Sequence, residues 1–316
     1  MPYNSIISRS DAAALIPEEA SKEIISGIPE QSFVMKFFRR LPNMTRKQQR
    51  MPVLSFLPLA YFVSGEADTD GLKQTTEQKW ENKYLNAEEI AVIVPIPEAV
   101  LDDADYDIWG EIKPRIIEAF GKTFDAAVIH GTNAPSTWPD DIVTAATAAG
   151  NAVALGTGED LYDDLFNENG VFAAVEADGF GVDMCIGALS LRAKLRGLRD
   201  ANGQSIFLKS MTEKGVYELD GAPIYFPKNG ALDATAALLV CGQAKEAVFS
   251  IRQDITYKVL TEAVIQDNAG DIVYNLAQQD MVALRAVMRV AWQVPNPINR
   301  VQETEANRYP FGVLTP

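Results

Sequence analysis

The longest regular alternation of apolar and polar residues runs from Pro97 to Gly131. Apolar side chains recur at Ile108, Ile112, Ile116, Phe120, Phe124 and Val128, a four-residue step that lines one face of a helix. Glu111, Lys113, Arg115, Glu118 and Lys122 fall between them, and Gly131 is placed to stop the helix. A helix of about 20 residues spans roughly 30 Å, the width of a domain, so this stretch is expected to act as a spine. Pro114 interrupts it, because proline removes a helical hydrogen bond and disfavours helix at Lys113. The pattern predicts a kink there, or a short helix before it and the main helix starting at it.

Upstream, Asp11 to Arg40 predicts short helices broken by Pro17, Gly27 and Pro29. Its apolar residues, Leu15, Ile16, Ile24, Ile25, Phe33, Val34, Phe37 and Phe38, are too scattered for a core of their own. They suit an arm lying across other surfaces. Pro52–Ser64 is apolar and aromatic but carries Pro58, which predicts an edge strand. A polar stretch, Glu66–Lys83, separates it from a second strand at Glu89–Pro97. The expected object is a protruding hairpin with a long polar tip, the kind of loop that is usually functional or disordered.

After the spine the pattern weakens. Asn133–Gly158 predicts loop with one short helix or strand, Glu159–Ala174 a helix, Val182–Leu189 a strand, and Leu189–Leu198 a helix ending in turn chemistry at 198–204. Short strands are expected at Ile206–Leu208, Val216–Leu219 and Ile224–Phe226, with Asp220-Gly221 as a tight turn. Ala236–Cys241, Ala247–Ile251 and Tyr257–Val264 add further strand, and Ala283–Trp292, which alternates only in part, is a strand or a strand-like helix that ends at Pro295. Nothing alternates as a parallel sheet would require, so the class is α+β, without internal repeats.

Composition allows a real core: 47% of the 316 residues are apolar and 22% charged. No apolar run approaches the ~20 residues of a membrane span, no signal pattern opens the chain, and the product is expected to be cytosolic when made. Cys185 and Cys241 make no disulfide framework and suit two small buried residues. The net charge of −15 argues against a general nucleic-acid binder. Its distribution says more. Gln31–Gly65 contains no acid but carries Lys36, Arg39, Arg40, Arg46, Lys47 and Arg50, whereas Thr123–Leu191 holds eleven acids and no Lys or Arg. Either both are solvated faces, or the basic arm meets an acidic patch of another copy or faces nucleic acid. Inter-subunit contact is the favoured reading.

Candidate chemistry is sparse. The one histidine, His130, lies at the end of the spine with no evident nucleophile or orienting acid, which suits a packing role. No metal-ligand spacing exists. Gly156-Thr157-Gly158 is too short for a phosphate loop, Asp102-Asp103 suits a helix start, and Trp80, Trp109, Trp138 and Trp292 form no stacking platform. An enzyme is not expected, and neither a cofactor nor a metal.

Several segments, in order, resemble the major capsid proteins of tailed phages with the Hong Kong 97 fold. LIPEEASKEIISGIPEQSFV (15–34) resembles the family's N-terminal arm and IPEAVLDDA (96–104) the approach to its spine helix. FDAAVIHGT (124–132) resembles the D-x-A-x-x-x-G exit from that helix. LRDANGQ (198–204) with LDGAPI (219–224) matches a D-x-x-G and L-x-G-x-P turn pair. AKEAVFSIRQDITY (244–257) and QQDMVALRAVMRVAWQVPNP (278–297) resemble the closing segments. The resemblance implies an N-terminal arm at 1–50, an extended loop hairpin at 51–97 and a peripheral domain with the spine helix at 98–181. It further implies an axial domain at 182–272 and a return to the peripheral domain with the C-terminal segment at 273–316.

It also implies a structural shell protein that self-assembles as homo-pentamers and homo-hexamers into an icosahedral head around double-stranded DNA, without sequence-specific contact. A separate scaffolding protein, a portal and decoration proteins are the further partners implied, with no membrane, and assembly in the bacterial host cytoplasm. Arg39, Arg40, Arg46, Lys47, Lys73, Lys79 and Trp80 are then the expected inter-subunit contacts. Some relatives weld subunits through a lysine–asparagine bond. Lys73, Lys79, Asn296 and Asn299 are the residues available for it here, but no matching acid is evident. The alternative reading is an encapsulin-type nanocompartment shell around cargo protein, and a third is a hydrolase using His130.

Overall fold

The computed structural model describes residues 32–63, 73, 75–103, 107–199 and 217–316. The expected arm helices before Ser32, residues 66–72 and 74 of the loop tip and the strand at 206–208 lie outside the described residues.

The chain opens with a single-turn helix α1 (Phe33–Phe37), a short strand β1 (Arg39–Arg40), and strands β2 (Gln48–Phe56), β3 (Lys79–Asn86) and β4 (Glu88–Pro97). A short helix α2 (Glu98–Asp103) precedes the spine α3 (Ile108–His130). Then come α4 (Ile142–Ala149), β5 (Ala152–Ala154), α5 (Leu161–Phe166), α6 (Val171–Ala177), β6 (Met184–Gly187) and α7 (Leu189–Gly197). The remainder is β7 (Tyr217–Leu219), β8 (Ala222–Tyr225), β9 (Leu239–Gly242), β10 (Val248–Leu260), β11 (Val264–Gln266), β12 (Ile272–Asn275), β13 (Met281–Gln293) and β14 (Phe311–Thr315).

The spine is one unbroken 23-residue helix containing Pro114. It neither splits nor starts at the proline. It starts at Ile108, where the Asp107 carboxylate accepts the Gly110 N–H at 3.0 Å. Pro114 has no N–H to give the carbonyl four residues back, so the helix runs one bond short there. At the far end Gly131 takes φ 65°, and its N–H and that of Thr132 close on Ala127 and Ala126.

Two sheets pack around this helix. A four-stranded sheet has the order β1-β10-β13-β4, and a six-stranded sheet the order β5-β14-β9-β6-β8-β7. Among the described residues three pairs are parallel, β1–β10, β5–β14 and β6–β8, which the sequence pattern did not signal because each pairing spans only two or three residues. The six-stranded sheet alternates cleanly between two cores. Met184, Ile186, Val240 and Val313 face a first core with Ile116, Phe120, Phe124 and Val128 of the spine and Phe249, Leu284, Met288 and Trp292 of the four-stranded sheet. Cys185, Leu239, Cys241 and Leu314 face a second core under Leu165, Phe172, Leu191 and Leu195 of α5, α6 and α7.

Several expectations change. The hairpin is β2 with β3, paired from Gln48↔Asn86 to Phe56↔Lys79, so its return strand falls partly inside the stretch read as polar tip. β4 instead pairs antiparallel with β13, from Glu88↔Val290 to Pro97↔Met281. The strand expected to run through Pro58 stops at Phe56, before it. The single helix expected at 159–174 is two, parted around Asn167–Gly170. The two strands expected between Ala247 and Val264 are mainly one, β10, which holds register with β13 across two irregularities. β10 belongs to the sheet of the spine, while β5 and β14, from outside 182–272, belong to the six-stranded sheet. No helix among the described residues is long and apolar enough to cross a membrane.

Candidate assembly surfaces

The root of the arm is fixed by one buried carboxylate. Ser32 caps α1 by accepting the Met35 N–H. Asp125, fully buried on the spine, accepts the Ser32 hydroxyl at 2.5 Å, the Phe33 and Val34 N–H groups at 3.1 and 3.2 Å, and the Asn229 amide at 2.8 Å. Burial pushes its pKa up to about 6, and these donors pull the other way. From this anchor Phe33, Val34 and Phe38 enter the first core. The chain then runs beside β10, with Leu41 and Met44 donating to Phe249 and Ile251 carbonyls.

Arg39, Arg40, Arg46 and Lys47 are all exposed on this strip. Arg40 donates to Asn43 at 3.1 Å, and Lys47 lies 3.4 Å from Glu88. The acidic tract is mostly occupied within the fold. Asp125, Asp141, Asp160, Asp163, Asp164, Asp178 and Asp183 each accept a backbone N–H. Asp140, Glu159, Glu168 and Glu176 remain exposed with no such role. The charge asymmetry is therefore largely a matter of loop and helix-end construction.

The β2–β3 ribbon and the segment 57–63 that follows β2 expose large apolar side chains. Phe56, Leu59, Tyr61, Val63, Trp80 and Tyr84 are exposed, and Phe62 is fully so. Trp80 faces Leu54 across the ribbon and keeps 63% of its surface in solvent. Lys79 pairs with Glu77 at 2.7 Å and sits 5.9 Å from the Phe56 ring centre, and Lys73 is exposed. The ribbon is clamped from its middle to its loop end by the segment after β13. Ile298 N–H donates to Leu54, the Arg300 guanidinium donates to the Pro58 carbonyl at 2.7 Å, and Lys83 pairs with Glu305. That segment is held by buried Arg308, which donates to the side chain and carbonyl of Asn296 and the carbonyls of Gln302 and Glu303. A second ribbon, β11–β12, exposes Val264, Ile272, Val273 and Tyr274 beside Tyr257 and Val259 of β10.

The sequence-predicted residues thus fall into two groups. Arg39, Arg40, Arg46 and Lys47 line the arm strip, while Lys73, Lys79 and Trp80 belong to the ribbon. Asp125, Arg308 and the β11–β12 surface were missed. Asp125 sits in the apolar face of the spine, and a lone acid there was the available signal. Asn296 and Asn299 donate their amides to the carbonyls of Arg308 and Asp178, both at 2.7 Å, so both serve the fold.

Nothing in the described residues assembles a catalytic group. His130 accepts the Asp233 N–H on Nε2 at 3.0 Å, leaving the proton on a buried Nδ1 without a partner. Burial holds its pKa below the usual value. The Gly156–Gly158 loop donates two N–H groups to the Asp164 carboxylate at 2.7 Å each, so its own side chain occupies the place of an anion. Among the described residues no cluster of three or more His, Cys, Asp or Glu could hold a metal ion.

Comparison with known proteins points one way. Residues 12–299 match the Phage capsid family. The major capsid protein of Staphylococcus phage 80alpha is 26% identical over 280 residues, 87% of this chain and 80% of that protein. A chain in the solved structure of Microbacterium phage Oxtober96 is 38% identical with TM-score 0.85, covering 99% of this chain and 100% of its own. One from Mycobacterium phage Bobi is 35% identical with TM-score 0.83, covering 99% of both.

Proposed function

The chain belongs to the Phage capsid family as a shell protein and not an enzyme, and from that premise we propose that it closes an icosahedral head from homo-pentamers and homo-hexamers around double-stranded DNA. The observation that carries the reading is the β2–β3 ribbon. Large aromatic side chains stand in water on a two-stranded element, which is marginal by itself. Patches of this kind mark interaction sites. The ribbon, with the segment that follows β2, lays Phe56, Phe62, Trp80 and Tyr84 on a neighbouring copy, burying what the isolated subunit exposes. The exposed arm strip, Arg39, Arg40, Arg46 and Lys47, is a second contact, with Lys73 and Lys79 at the edge of the ribbon contact.

The two cores suggest the working division of the subunit. The spine with α4 and the four-stranded sheet forms the peripheral part, and the six-stranded sheet with α5 to α7 the axial part. A separate scaffolding protein, portal and decoration proteins are the further partners, and assembly takes place in the host cytoplasm. The net charge of −15 suits a lumen that does not hold packaged DNA by sequence or by strong attraction. The relatives above are phage proteins, which does not favour the encapsulin reading.

Electron microscopy of the expressed chain, alone and with its neighbouring phage proteins, tests this. Closed particles with five-fold and six-fold clusters are expected, and discrete small oligomers under all assembly conditions would count against it. Particles filled with protein cargo in place of DNA would move the assignment to a nanocompartment.

A further inference from the structure

The two cysteines meet. Cys185 of β6 and Cys241 of β9 are direct partners in the antiparallel register, and both are fully buried in the second core. Further along the same register the Ala188 N–H donates to Leu238 at 2.8 Å, which makes 188 and 238 a hydrogen-bonded pair. Three residues away the alternation places Cys185 and Cys241 at a non-hydrogen-bonded position, where side chains approach most closely and Cα atoms lie ~4.5 Å apart. That spacing falls inside the range a disulfide spans. Both thiols are free. On the far side of β9, Cys241 faces Gly312, which has no side chain to hold the sulfur away.

We propose that Cys185 and Cys241 form an oxidisable dithiol that closes into a cross-strand disulfide within the folded subunit. With a peroxide as oxidant, the step transfers two electrons. One sulfur attacks the O–O bond and becomes a sulfenic acid, releasing water, and the other sulfur displaces the sulfenic oxygen as a second water. The S–S bond forms, the O–O bond breaks, and both thiol protons leave in the waters. The neighbouring Cys241 sulfur, and then burial, push the Cys185 thiol pKa up and keep it protonated, so the reaction is slow and waits on local opening of the helices over the second core. A reducing cytosol keeps the pair open, and an oxidising medium closes it. Once closed, it ties the ends of a loop of about 57 residues that carries α7, β7 and β8.

The test uses the purified full chain, held well below its melting temperature with hydrogen peroxide. It is then denatured, treated with N-ethylmaleimide without reductant, and weighed intact. The expected product is a monomer lighter by about 2 Da with no maleimide, and dithiothreitol restores two adducts. The oxidised chain is expected to melt several degrees higher than the reduced one, and reductant is expected to reverse the shift. Cys241→Ala and, separately, Cys185→Ala must abolish both the mass loss and the shift; if one variant does not fold, the other serves. Two maleimide adducts after oxidation, oxygen added to separate thiols, or disulfide-linked dimers would each overturn the proposal. The readout is on single subunits, so it stands or falls independently of shell assembly.

Discussion

Strands β13 and β3 are both rich in large side chains, yet they dispose of them in opposite ways. β13 lies between β10 and β4 and buries Leu284, Val287, Met288, Val290 and Trp292. β3 has one partner, β2, and buries only Leu85, near the base of the ribbon, while Trp80 and Tyr84 stay in solvent. The first strand is complete within its own chain. The second leans on Ile298, Arg300 and Glu305, which hold the ribbon from its middle to its loop end. Side chains that carry the fold and side chains left in solvent are thus separated along the molecule.

That contrast can be broken most directly by matched truncations. Trp292→Ala is expected to cost the subunit about 3–5 kcal/mol, whereas Trp80→Ala should change it by no more than about 0.5 kcal/mol and instead reduce particle yield. Denaturant melts of the unassembled subunit and particle counts read the two effects, and equal stability losses would erase the distinction. Next in size is Asp125→Ala, which leaves the Ser32 hydroxyl, two N–H groups and the Asn229 amide without their acceptor and should cost about 3 kcal/mol.

Asp125 also sharpens the comparison through pH. Its folded pKa is raised, from 3.8 to about 6, so protonation favours the folded state. The associated stability is complete below about pH 4 and is lost as pH rises through about 6, on the order of 3 kcal/mol. Asp125→Asn should remove that slope in pH-dependent melts, while substitutions in the ribbon leave it unchanged. The smallest effect is expected at the clamp. Lys83→Ala should cost less than about 1 kcal/mol, as exposed ion pairs do, but accelerate amide exchange in β2 and β3 without touching β13.

What could be read from the sequence follows the same division. The spine stripe, α7, β13 and the Asp220-Gly221 turn were legible because each has a burial period or a special backbone angle; both turn residues have positive φ, 47° and 78°. β3 was not, since a strand with no core beneath it has no reason to alternate. The partner of β4 was not legible either, because nothing local in residues 88–97 names a strand nearly 200 residues later. The spine stripe hid Asp125, whose role depends on Ser32 and Asn229, both distant in the chain. Trp80 stood out as an aromatic in a polar tract, but its exposure needed the ribbon to be seen. The order of motifs identified the fold before its pairings could be drawn.

The ladder of β10, β13 and β4 has a mechanical consequence. β13 matches β4 residue for residue over ten positions and pairs with β10 at ten positions across two irregularities. A pull along these strands loads the cross-strand bonds together, in shear, whereas a pull across them would open the bonds one after another, like a zipper. The same sheet is therefore strong in one direction and weak in the other. A subunit oriented with its strands along the line of tension would carry load that would unravel the same sheet turned through a right angle.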